Sequence, residues 1–148
     1  MNQRTLSGMT RALFDSDLVA TRLTLALAEL LWAMMLFWPG DTFTRPTYTA
    51  MGQVAPELCW AAVFLVSAAV QYRIVAHQLC GTRLSHWFAA FNALLWVATV
   101  GLMVYSVYPP PAAIGGEIAL ACSAVWIWVR PLIMQHGERK YGAATKHA

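Results

Sequence analysis

Four side chains stand out for the chemistry they could do among apolar neighbours: Glu29, Glu57, Asn92 and Glu117. Glu29 lies inside the run "LTLALAELLWAMMLFWPGD", eleven residues after Leu18 and nine before Trp38. At ~1.5 Å rise per residue, a helix places it ~13–16 Å from either end. A bare charge in the middle of an apolar slab costs at least ~2.5–3.5 kcal/mol. No Lys or Arg falls at that depth in any apolar stretch, and Arg22 is two helical turns away. The expected form of Glu29 is therefore the neutral acid, facing the protein interior.

Glu57 follows Pro56 and reads as a first-turn acid that complements the helix dipole. Glu117 comes six residues after Pro111 and has two readings. It is another first-turn acid behind "GGE", or a second buried carboxyl within reach of Glu29. In the second case the two would share a proton or hold a cation. Trp32 and Trp60, in "ELLWA" and "ELCWA", each follow an acid by one turn and offer N–H donors to a neutral carboxyl. Asn92 is the remaining polar group inside an apolar run. Buried Asn and neutral Glu often serve as interhelical glue, at about 0.6 kcal/mol per bond. A proton or ion path is the sharper alternative, and the residue types alone favour glue.

Other chemistries lack support. No G-x-S-x-G, HExxH or phosphate-loop pattern occurs, so no catalytic residue is assigned. Cys59, Cys80 and Cys122 have no paired spacing. "HQLC" with His86 is unlike an established zinc pattern, and no histidine lies deep inside an apolar stretch to ligate a membrane haem. Neither metal nor cofactor is expected. The net charge of +3 is spread over the chain ends and one connection. It forms no basic stripe of the kind that binds nucleic acid.

The elements that must position these groups are legible from hydropathy. Apolar residues make up 59% of the 148 and charged residues only 11%, against roughly 25% charged in soluble domains. So small a chain needs a polar skin to stay in water, and this one lacks it. Four apolar stretches, about 18–38, 54–72, 85–106 and 111–129, each approach the ~20 residues that cross a bilayer as a helix. Residues 130–148 form a tail. The expected fold is all-α, one integral membrane domain over residues 1–148, built as a four-helix bundle.

Charge sets its direction. Arg4, Arg11, Arg22, Arg73, Arg83, Arg130, Arg139, Lys140 and Lys146 fall on one side of the alternating spans, and Arg45 alone on the other. The positive-inside rule then puts both termini and the 73–86 connection in the cytoplasm. Arg22 and Arg73, at inner span ends, can snorkel. Leu6, Met9 and Leu13 share a helical face beside Phe14, consistent with a short helix on the inner leaflet or with a frayed tail.

The block "AELLWAMMLFWPGDTFTRPTY" resembles stretches in small uncharacterised multi-span inner-membrane proteins of tailed bacteriophages, over the first span and the loop after it. That resemblance implies a bacterial inner-membrane protein made during infection, with holins as the functional comparison. In length, span count and an arginine before span one the chain also resembles DoxX-like four-helix membrane proteins, although "RLTLALAELLWAMM" lacks their glycine pattern. Three functions follow as expectations. The first is a non-enzymatic protein that acts by assembling in the bilayer, as a homo-oligomer or with a membrane-protein partner. The second is a small proton- or cation-coupled transporter, or an accessory subunit of a membrane redox or transport complex. The third is an interaction protein that uses the 39–55 loop on the periplasmic side.

Overall fold

The computed structural model describes the backbone of residues 3–144 except 39, 41, 78 and 110. Side chains are described from 17 to 134, with 81 and 113 also left out. The expected N-terminal apolar face and the basic residues Arg4, Arg11, Arg139, Lys140 and Lys146 thus have side chains outside the described residues.

Among the described residues there are five α-helices: α1 Gln3–Phe37, α2 Thr49–Val54, α3 Glu57–Ala76, α4 Arg83–Ser106 and α5 Gly115–Ala144. Four of them contain segments long and apolar enough to cross a membrane: Asp17–Phe37, Glu57–Ala76, Arg83–Ser106 and Gly115–Met134. This is the helix content of a membrane protein. The four expected stretches are present, with shifted ends.

Each shift has a local cause. Val54, expected to open the second span, instead ends α2, because Ala55 is extended (φ −157°, ψ 155°) ahead of Pro56. Proline forces that geometry on its predecessor. Helix α3 continues past Arg73 to Ala76, since a charge ends an apolar run without ending a helix. Helix α4 begins at Arg83 because the Thr82 hydroxyl caps it, accepting from the Ser85 amide at 3.2 Å. Helix α5 starts four residues after Pro111, behind a 3₁₀ turn at Ala112–Ile114, and runs through Pro131 to Ala144. An interior proline breaks one backbone hydrogen bond, and membrane helices tolerate it. At the other end of the chain, residues 3–16 belong to the same unbroken helix as the first span. They do not form a separate element.

Helix α1 lies along α3, and α4 along α5. Side-chain pairings fix the directions. Arg22 meets Gln71 and Ser85, Trp32 meets Phe64 and Trp96, and Glu29 with its partners lies between. Thus α1 and α4 run the same way and α3 runs against them. Two ends result: a basic end with Arg22 and Ser85, and a proline end with the 39–55 and 107–112 connections.

The proline-end loop is built, not loose. Two 3₁₀ turns, Thr42–Thr44 and Pro46–Tyr48, lead into α2. The Ala50 amide donates to Ser106 Oγ at 3.0 Å, and Trp60 Nε1 donates to the Met51 carbonyl at 3.1 Å. Glu57 Oε1 accepts from the Thr42 amide at 3.2 Å. Met51 is fully buried beneath this cap.

Candidate functional site

Three stacked layers, two polar and one aromatic, lie between α1, α3 and α4. Spacing along the helices produces them. Arg22 and Glu29 are seven residues apart on α1, and Ser85 and Asn92 are seven apart on α4. Seven residues are close to two helical turns, so each pair shares a face. On α3, Gln71 and Ser67 lie one turn apart and meet them in antiparallel register.

The first layer, at the basic end, is built on Arg22. Its side chain is 2% exposed. Nη1 donates to Gln71 Oε1 at 2.8 Å, and Nη2 donates to Ser85 Oγ at 2.8 Å. The Ser85 hydroxyl in turn donates to the Cys80 carbonyl at 3.1 Å. Nε has no partner. Arg22 does not snorkel, although its place at a span end allows it. Three neutral acceptors inside the fold hold the guanidinium in place.

The second layer holds Glu29, which is 0% exposed. Oε1 accepts from Asn92 Nδ2 and from Trp96 Nε1, the latter at 3.2 Å. Asn92 Nδ2 also donates to Ser67 Oγ at 3.0 Å. Two buried oxygens are left without a donor: Glu29 Oε2 and Asn92 Oδ1. An orphaned buried acceptor costs on the order of 1–3 kcal/mol. Oε2 is therefore the carboxyl oxygen left without a partner inside the fold.

The third layer is aromatic and closes the site towards the proline end. Ring centroids of Trp32 and Phe64 are 5.4 Å apart, those of Phe64 and Trp96 5.5 Å, and those of Trp32 and Trp96 6.3 Å at 89°. Such tilted and edge-on contacts suit the ring quadrupoles. They also keep water from Glu29 on that side. Tyr48, from the loop, stands edge-on to Trp32 at 5.9 Å. Burial raises the Tyr48 phenol above its ordinary value, Glu117 raises it further, and Arg45 opposes them.

The expected site residues thus separate. Glu29 and Asn92 are brought together. Glu57 and Glu117 both sit in first turns, of α3 and α5. Glu57 pins the loop, and Glu117 keeps one buried oxygen without a partner. No hydrogen bond joins Glu117 to Glu29 among the described residues. Glu117 is two residues into its helix, ~3 Å deep, whereas Glu29 is eight from the end of α1, ~12 Å deep. The Trp assignments are corrected: Trp60 donates to the Met51 carbonyl, Trp32 packs as a ring, and Trp96 serves Glu29. Ser67, Gln71, Ser85 and Trp96 escaped the sequence reading, as did the burial of Arg22. The repeated spacing of seven between polar residues on α1 and α4 was the signal that could have paired Arg22 with Glu29 and Ser85 with Asn92.

Comparison of the chain with described protein families, characterised proteins and solved structures yields no match.

Proposed function

We propose that the chain is a multi-pass protein of the bacterial inner membrane, a four-helix bundle with both termini and the 73–86 connection in the cytoplasm. It works without catalysis, by assembling in the bilayer with itself or with a membrane-protein partner. We propose a phage-associated, holin-like setting for it.

The supporting observation is the division of polarity. Glu29, Asn92, Ser67, Arg22 and Gln71 are all buried within one chain. The span surface exposes Leu27, Met34, Val66, Leu94, Val97 and Trp126. The Thr21, Thr24 and Ser123 hydroxyls fold back onto carbonyls four residues earlier, at 2.7, 3.0 and 2.9 Å. In lipid such a surface associates by close packing rather than by hydrogen bonding. Induced expression is expected to lower membrane potential, and cross-linking in mild detergent to give a ladder of oligomers. Unchanged potential and viability, with monomer alone on the gel, would refute this reading.

The two orphaned oxygens favour a second reading, a proton- or cation-carrying role centred on Glu29. Proteoliposomes would then show a flux that Glu29→Gln abolishes while the helical content stays the same. Equal flux in both proteins, or none in either, removes this reading.

A further inference from the structure

The first layer opens onto a groove of about 630 Å³ at the basic end. Arg22, Arg83 and His86 line its polar side, and Leu18, Trp87 and Leu132 are among its apolar residues. The N-terminus of α4 also borders it through Thr82. Arg22 has an unusual environment there. It is nearly wholly buried, its described partners are all neutral, and Nε remains unpaired. A buried cation is costly unless an opposite charge and further hydrogen bonds compensate it.

We propose that this groove binds the phosphate of an anionic phospholipid, with an acyl chain against the apolar side. Arg22 is a buried cation that borders the groove, and the charge of a phosphate is the counterion that Gln71 and Ser85 cannot supply. Arg83 and His86 add donors from the rim, and the dipole of the 24-residue helix α4 favours an anion at the same point. The apolar side distinguishes a lipid from a free anion. A small ion would leave Leu18, Trp87 and Leu132 uncovered, whereas a chain-bearing phosphate covers both sides of the groove.

The site rests on the helices lying in a bilayer and is independent of assembly. Native mass spectrometry from mild detergent tests it, with phosphatidylglycerol, phosphatidylcholine of the same chains, and inorganic phosphate as probes. Phosphatidylglycerol adducts are expected to persist where phosphatidylcholine adducts are stripped, and excess inorganic phosphate should not displace them. Arg22→Gln is expected to weaken binding roughly tenfold, as the loss of charge-assisted bonds implies. Should that variant fail to fold by circular dichroism, the pair Arg83→Gln and His86→Gln decides, since neither residue belongs to the buried layers. Equal retention of the two lipids, unchanged binding in the variants, or displacement by inorganic phosphate overturns the lipid site. None of these results touches the cross-linking ladder, so the two proposals fail separately.

Discussion

Removing the Asn92 amide takes two hydrogen bonds from the polar core at once, one to Glu29 and one to Ser67. Asn92→Ala would leave the buried Glu29 carboxyl to Trp96 and Ser67. The expected loss is about 1–3 kcal/mol of stability, read as a lower midpoint of thermal unfolding in detergent. Asn92→Asp should be worse than Asn92→Ala, because it sets a second acid against Glu29. An unchanged midpoint in both variants would show that the contact is not what orders the core. At this scale the sequence was half legible. Glu29 and Asn92 announce themselves because each is polar in an apolar run. Ser67, Gln71 and Ser85 do not, because such residues occur equally at span ends and on exposed faces. Trp96 was hidden among other tryptophans, since a sequence does not say which indole points inward.

Capping and proline chemistry explain the elements better than hydropathy does. Hydropathy located four spans correctly but ended them wherever a charge or a proline interrupted the apolar run. Arg73 and Pro131 both lie within helices that continue beyond them. At the start of α4 the cap is decisive: Thr82 Oγ accepts from the Ser85 amide and fixes Ser85 where Arg22 needs it. Thr82→Ala is expected to cost about 1 kcal/mol and to speed hydrogen exchange at residues 83–85 first. Exchange that rises evenly along α4 instead would place the anchor of this helix elsewhere. The 39–55 connection looked like a plain loop because two prolines and two glycines dominate it. The buried Met51 side chain and the Trp60 bond to its carbonyl, which order it, are long-range effects without a local sequence signature.

For the molecule as a whole, native cysteines report the proposed direction in the membrane. Cys59 is exposed in the first turn of α3 at the proline end, and Cys80 lies at the basic end beside Ser85. A membrane-impermeant maleimide is expected to label Cys59 on intact spheroplasts and to reach Cys80 only after lysis. The reverse pattern would invert the topology that the Lys and Arg asymmetry predicts. That asymmetry is a whole-chain property and was readable in the sequence, unlike the register that brings 22, 71 and 85 into one layer and 29, 67 and 92 into the next. Register depends on how three helices meet, and no single span carries it.

The layered core also bears on how the chain is made. Every residue of its three layers lies between Arg22 and Trp96, so its partners have all been synthesised before α5 emerges from the ribosome. The last helix then arrives at a finished surface and settles on it through Ala121, Ala124 and Ile127. The partners of Arg22 and Glu29 in these layers thus precede α5 in the order of synthesis.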